Sequence, residues 1–286
     1  MRLSSKQMKT RTKNKNSTMW LIITVLILLF FAIICILVEN NCILIKRRED
    51  FDGDTKILHI SDCHKRNNAD FNKRVIAAAK DEKPDVIFIT GDVVSRTETE
   101  FSATEVLLTE LCDIAPVYMC MGNHEQSLKN DNQRKLLDVV AKTDVRLLVN
   151  DGEYAEINGK KYYICGVMQD YSTYKKDGGY RNLDDFTIDE MKNYLGECPE
   201  DEVLLLAHNP FFAEVYAEWG ADYTFSGHIH GGVIRLFGVG IFSPERRFFP
   251  KYSKGVYDIS GKKLLVSAGL GKLRMFNPPE IVIYNI

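Results

Sequence analysis

An α/β fold behind a single N-terminal membrane-spanning helix is what this 286-residue sequence predicts. Three observations carry the prediction: an apolar run of bilayer length near the start, short apolar runs alternating with amphipathic stretches after it, and metal-binding side chains where several of those runs end. Composition agrees, since 45% hydrophobic and 27% charged residues with 19 Gly and 8 Pro describe a globular chain, neither disordered nor collagen-like. Seven Cys at irregular spacing, with no C-x-x-C pattern, make neither a disulfide framework nor a zinc site.

The formal net charge of −2 conceals a division along the chain. Residues 1–18 hold Arg2, Lys6, Lys9, Arg11, Lys13 and Lys15 and no acidic residue, leaving 31 basic and 39 acidic side chains for the other 268 residues. Met19 to Val38 follows, with Thr24 as its only polar side chain. At ~1.5 Å per helical residue its 20 residues match the ~30 Å hydrocarbon core of a bilayer. A secretory signal is the rival, but its apolar region runs only ~7–15 residues and ends at a small-residue cleavage site, whereas here the run meets Glu39-Asn40-Asn41. An uncleaved anchor is therefore expected. The positive-inside rule places the basic tail 1–18 in the cytoplasm, the spanning helix at 19–38, a linker at 39–50, and a domain over 51–286 outside the cell membrane. An acidic domain gives no reason to expect nucleic acid as a partner.

Within that domain Ile57–Ile60, Val86–Ile89, Val117–Cys120 and Val203–Leu206 read as strands buried on both faces. Ala69–Lys83, Phe101–Cys112 and Asn132–Lys142 carry helical periodicity between them, with Pro84 and Pro116 just before the next strands. This is a βαβα pattern. Later segments are richer in strands, with tight turns expected at Ile157-Asn158-Gly159-Lys160 and Ser260-Gly261.

Five strand ends run into potential ligands: Asp62-Cys63-His64, Gly91-Asp92, Gly122-Asn123-His124-Glu125, His208, and Gly227-His228-Ile229-His230. In α/β sheets ligands gather at the carboxyl ends of strands, so residues far apart in sequence can share one site. Asp62/His64 and His228/His230 are one residue apart, and in extended backbone such pairs point to the same side. Cys63 would then point away. Five of the six histidines fall at these ends; His59 lies inside the first strand as a core or near-site residue. A lone His after an apolar run is more often structural, but five ordered instances are not. Oxygen and nitrogen donors without thiolate suit Mn, Fe, Ni, Co or Zn. A carboxylate able to bridge two ions is the natural core of a hydrolytic site that lowers the pKa of water and supplies hydroxide for attack on phosphorus.

The ordered set D-x-H, G-D, G-N-H-E, H and G-H-x-H, from Ile57 to His230, resembles the calcineurin-like metallophosphoesterase superfamily. That resemblance implies two β-sheets packed as a sandwich and flanked by helices. It implies two divalent ions, one held by Asp62, His64 and His230, the other by Asn123, His208 and His228, with Asp92 between them. His124 would bind the phosphoryl group and protonate the leaving oxygen. Several relatives carry an acidic residue three positions after the bridging Asp, able to orient the catalytic His; here Ser95 stands there, with Arg96 next. Glu125 is a candidate to hold His124, and Arg96 to meet a phosphate oxygen or to be a solvated loop residue. Gly231-Gly232, Gly269–Arg274 and Pro279-Glu280-Ile281 resemble a bacterial subgroup tethered by one N-terminal helix. Some members of that neighbourhood act on lipid-like or nucleotide-sugar-lipid pyrophosphates.

The resulting expectation is a membrane-anchored phosphodiesterase or pyrophosphatase acting on a phosphorylated small molecule or lipid. Its rivals are a phosphomonoesterase or protein phosphatase and a non-catalytic metal-binding scaffold. Leu236–Phe242 with Arg246-Arg247-Phe248-Phe249, directly after the last ligands, is either an interfacial element that admits a lipid phosphate or a hairpin packed on its own sheet. Tyr171–Tyr180 is either a lid or a surface insertion.

Overall fold

The computed structural model describes residues 5–64, 68–180, 182–272 and 274–286; Arg2 of the basic tail and Leu273 of the Gly269–Arg274 motif lie outside them. Helix α1 runs Ser5–Cys42, and its stretch Thr18–Cys42 is long and apolar enough to cross a membrane. Leu28, Phe30 and Phe31 are exposed on it. Between Met19 and Val38 the one side-chain hydroxyl, Thr24 Oγ1, donates to the Trp20 carbonyl at 2.9 Å and so is paired within the helix.

The stretch 39–50, expected as a linker, instead holds the end of α1 and an edge strand, β1 (Ile45–Asp50), separated by Ile43 and Leu44 alone. Its run of charges reads as solvated chain, yet edge strands carry such charges while their backbone pairs. Lys46 Nζ reaches Asp81 at 2.5 Å and Glu82 at 3.1 Å, and Arg48 Nη2 reaches Glu82 at 2.6 Å. β1 pairs in parallel with the last strand of the chain, in register Ile45↔Glu280.

The next elements are β2 (Lys56–Ile60), α2 (Ala69–Glu82), β3 (Val86–Thr90), α3 (Ser102–Cys112), β4 (Val117–Cys120), α4 (Asn123–Gln126), α5 (Asn130–Val140) and β5 (Arg146–Leu148). β6 (Asp151–Ile157) and β7 (Lys160–Val167) follow, then α6 (Ile188–Leu195), β8 (Glu202–Ala207), α7 (Ala213–Trp219) and β9 (Tyr223–Ser226). The chain ends through β10 (Ile234–Leu236), β11 (Val239–Phe242), β12 (Gly255–Ile259), β13 (Lys262–Val266) and β14 (Glu280–Asn285). One six-stranded sheet has the order β1-β14-β2-β3-β4-β5 and the other β12-β13-β9-β8-β7-β6. The first is parallel from β2 to β5, as its helical crossovers require. The hairpins β6–β7 and β12–β13 turn where Asn158-Gly159 and Ser260-Gly261 predict, each with positive φ.

Strand alternation explains the layering. Val86 and Phe88 of β3 face Ile164, Leu204 and Phe225 of the other sheet, while Ile87 and Ile89 face the helical side with Val75, Leu108 and Leu136. In β8, Leu204 and Leu206 point into the sandwich; Val203, Leu205 and Ala207 pack toward Met191, Tyr216 and Trp219 of α6 and α7. Two sheets packed face to face and covered by helices on both outer faces result, the sandwich that was expected.

The end of α1 is fastened to this body. Asn40 Nδ2 donates to the Arg274 carbonyl at 2.9 Å, and the Arg274 amide donates back to Asn40 Oδ1 at 3.3 Å. Arg74 donates to the carbonyls of Asn41 and Cys42 at 2.9 and 2.8 Å, satisfying acceptors that a helix C-terminus leaves open.

Candidate metal centre

The predicted ion-holding residues lie just past strand ends, but five of them are not in extended backbone. Asp62, His64, Asp92, His228 and His230 have φ of 53°, 48°, 53°, 69° and 55°. Left-handed conformations at non-glycine residues cost ~1–3 kcal/mol each and persist only where surrounding structure enforces them. The same-side argument from strand alternation therefore does not hold here; tight turns bring the pairs together instead. Cys63 is nonetheless buried in the core beneath the helices.

Hydrogen bonds fix those turns. Asp62 and His64 donate their amides to the Gly91 and Asp92 carbonyls, both at 3.1 Å. The His228 amide donates to both Asp62 carboxylate oxygens at 3.1 Å, and the His124 amide to Asp92 Oδ1 at 2.7 Å. Glycine is required where these loops cross: a Cβ on Gly122 would lie 2.3 Å from Asp92 Oδ1.

Three overlapping groups form, Asp62/His64/His230, His64/Asp92/His124 and Asp92/His208/His228, each with donor atoms within 4.8 Å of one another. Asp92 Oδ2 lies 3.2 Å from His208 Nε2 and 3.7 Å from His64 Nε2, which joins the two ends of the cluster. His64 Nε2 and His230 Nε2 are 3.0 Å apart on stacked rings, and His230 Nε2 is 3.5 Å from Asp62 Oδ1. His208 Nδ1 sits 2.6 Å from the Thr90 carbonyl. Asn123 Oδ1 is buried with no hydrogen-bond partner among the described residues.

Electrostatics points the same way. Burial opposes charge on Asp92, but His208 and His124 outweigh it and hold the carboxyl well below its ordinary 3.8. Asp62 is lowered likewise, burial being overcome by His230 and His64. Burial lowers His228 and His230, leaving neutral imidazoles with free lone pairs. His208 goes the other way, to about 10, because Asp92 and Asp62 outweigh its burial; those two buried carboxylates demand positive charge between them. Converging lone pairs, the orphaned Asn123 oxygen and buried carboxylates all fit divalent cations of the borderline class.

His124 is held differently from expectation. Glu125 does not touch its ring; the Glu125 carboxylate takes the amides of Asp92 and Gly122 at 2.8 Å and of Val94 at 3.2 Å. Burial, then the Asp92 charge, raises Glu125 to about 7. Arg96 contacts His124 instead: its amide lies 3.2 Å from Nδ1 and its Nη2 2.8 Å from Nε2. Burial depresses His124 to about 3, with His64 and Arg96 adding to the effect against Asp92. His59 is buried with Nε2 2.7 Å from Thr90 Oγ1, beneath the site rather than in it.

Glu245 escapes the sequence reading, and Tyr174 enters it only as part of the 171–180 stretch. Buried Glu245 places Oε1 3.0 Å from His228 Nε2, and the Tyr174 ring packs edge-on against His228 at 5.0 Å. Neither occupies a strand end. Tyr174 belongs to the 171–180 stretch, which lines the opening over the site with Tyr171, Lys175 and Tyr180, opposite Arg96 and Glu245.

Comparison with known proteins agrees with this geometry. The family model for calcineurin-like phosphoesterases matches residues 55–232. A protein named an uncharacterized metallophosphoesterase from Aquifex aeolicus (strain VF5) is 30% identical over 82% of this chain and 85% of its own length. Phosphodiesterase YaeI of Escherichia coli (strain K12) is 24% identical over 85% of this chain and 87% of its own. UDP-2,3-diacylglucosamine pyrophosphatase LpxG of Chlamydia muridarum (strain MoPn / Nigg) is 25% identical over 80% and 82%. The match over more than half the chain, on a two-sheet sandwich with clustered His and Asp donors, establishes that the chain belongs to the calcineurin-like phosphoesterase family and is a metal-dependent phosphoric ester hydrolase.

Proposed function

We propose that the protein hydrolyses a phosphodiester or pyrophosphate with two divalent ions, while α1 holds it in the cell membrane with its N-terminus cytoplasmic. Asp62, His64 and His230 would hold one ion and Asn123, His208 and His228 the other, with Asp92 shared. The observation that carries this reading is the position of Asp92 Oδ2, within 3.7 Å of His64 Nε2 and 3.2 Å of His208 Nε2. Such ions, when bound, supply Lewis acidity and a nucleophile at neutral pH.

The remaining work belongs to the chain. His124 stands at the edge of the cluster, its Nε2 4.0 Å from Asp92 Oδ2, where it can bind a phosphoryl oxygen and deliver a proton to the departing one. Burial, with the Arg96 guanidinium adding to it, favours the neutral form of that imidazole, so the proton it delivers would be acquired together with the negative charge of the bound substrate. Arg96, at the opening, supplies donors suited to a phosphate oxygen. The names of the Escherichia coli and Chlamydia relatives support a diester or pyrophosphate over a monoester.

Metal-dependent hydrolysis of bis-p-nitrophenyl phosphate, abolished by Asp92→Ala with loss of bound metal, is the expected result. A fully metal-loaded protein without such activity would overturn the proposal.

A further inference from the structure

Resting on the membrane-anchored reading above, we infer that Phe276, Phe237, Phe248 and Phe249 form a footing in the interfacial layer of the membrane that α1 enters, so that the site is served by lipid-carried phosphoesters.

The four rings stand on one hydrogen-bonded path that starts at the end of α1. Glu39 of that helix accepts the Phe276 amide at 2.7 Å. One residue earlier, the Met275 amide donates to the Val233 carbonyl at 2.9 Å, and Met275 accepts from Arg235 at 3.1 Å, which joins this segment to β10. β10 pairs with β11 around a turn at Phe237-Gly238, both of positive φ. Phe249 then donates its amide to Ile241 of β11 at 3.0 Å. The backbone pairings along this path each span one strand spacing, ~4.8 Å, and the Glu39 carboxylate links them to the end of α1.

All four rings face outward: Phe276 is 48% exposed, Phe237 104%, Phe248 71% and Phe249 64%. Single exposed apolar residues are ordinary on a soluble surface, but a joined set with exposed Leu236 and Val239 is not. Arg246 and Arg247 sit exposed beside the rings. Aromatic rings next to basic groups, continuous with an apolar helix, suit the headgroup boundary of a bilayer, where rings bury and guanidinium groups meet lipid phosphate. The hairpin β10–β11 is outside both large sheets, so its apolar tip has no layer of this domain to cover it.

The footing is also connected to the chemistry. Glu245, one residue before Arg246, is buried against His228 and lines the opening of the site. The loop that would touch lipid on one side thus walls the metal centre on the other. A phosphoester anchored by acyl chains at that boundary can present its phosphorus to the cluster without leaving the bilayer.

The test uses the full chain in nanodiscs. In a Trp20→Phe background, the F237W variant should be quenched by acyl-brominated phospholipid at least twofold more strongly than the same background carrying Phe237, whose remaining indole, Trp219, is buried. Quenching by aqueous iodide without quenching by brominated lipid overturns the footing, as does protection that vanishes at one chain per nanodisc, which would mark a second copy as the occupant. A second arm compares bis-p-nitrophenyl phosphate with a p-nitrophenyl phosphodiester borne on diacylglycerol. The F237S/F248S/F249S variant should lose roughly tenfold on the lipid substrate alone. Equal loss on both overturns the delivery role. Should the wild type hydrolyse neither substrate, the catalytic reading fails while the quenching comparison still decides the footing.

Discussion

The Glu125 carboxylate holds Asp92 in place through the backbone: Oε2 accepts the Asp92 amide at 2.8 Å, while Asp92 turns its own Oδ1 to the neighbouring His124 amide at 2.7 Å. The loops after β3 and β4 are thereby tied in both directions around the shared carboxylate.

Replacing Glu125 by Ala leaves the amides of Asp92, Gly122 and Val94 without their acceptor in a buried setting. Orphaned buried donors cost ~1–3 kcal/mol each, so a total loss of about 3 kcal/mol or more is expected, lowering the thermal midpoint by roughly 6–12 °C. Thermal unfolding followed by circular dichroism checks this. A midpoint within a degree or two of wild type would show that the three bonds are not structural.

His124→Ala removes the proposed proton donor but none of the proposed ion-holding residues. kcat on bis-p-nitrophenyl phosphate should fall by ~10²–10⁴ with metal content unchanged by elemental analysis. Metal loss parallel to activity loss would instead make His124 a ligand, as its place in the His64/Asp92 group allows.

For Glu245→Gln the expected effect is on affinity. Carboxylates that hold the far nitrogen of a ligating His typically contribute ~10–100-fold to metal binding. Glu245 has that relation to His228, at 3.0 Å. Metal dissociation constants from chelator competition should weaken by this factor; an unchanged constant would rule out a positioning role for the carboxylate.

Acid should loosen the seam between β1 and β14. Buried Glu280 bonds Arg47 at 3.3 Å, Lys254, and the Ala268 amide at 3.0 Å. Burial works against its charge, yet Arg47 and Lys254 prevail and hold the carboxyl below its ordinary 4.5. A depressed carboxyl stabilises the fold above the unfolded value and loses that contribution as pH falls through the folded one. Thermal midpoints should therefore drop below about pH 4.5 in wild type, and Glu280→Gln should start lower at neutral pH and show a shallower acid slope. Parallel slopes would assign acid sensitivity elsewhere.

Much of this architecture is legible in sequence because burial on both faces writes itself as uninterrupted apolar runs, as in Val86–Ile89 and Val203–Leu206. The clustering of the His and Asp side chains is equally visible, since strand ends are the one place where such runs deliver a polar residue to a common edge. What stays hidden depends on contacts between distant segments. β1 is charged along its length and becomes a strand only because β14 lies beside it. Glu245 follows no strand end and reaches His228 by the path of its loop. The left-handed turn at Asp62 carries no glycine to announce it, and after Gly91 and Gly227 the positive φ falls on Asp92 and His228 themselves, which a glycine beside them does not foretell. Arg96 takes the place beside His124 through a loop whose course the substitution of Ser95 does not reveal.

The two residues between α1 and β1 have a final consequence. A protease needs an extended, accessible stretch of backbone to enter its cleft, and Ile43 and Leu44, half-buried between a helix and a paired strand, provide none. Surface enzymes on long stalks can be clipped and released into the medium. Release of this domain by such a cut would first require α1 or β1 to open.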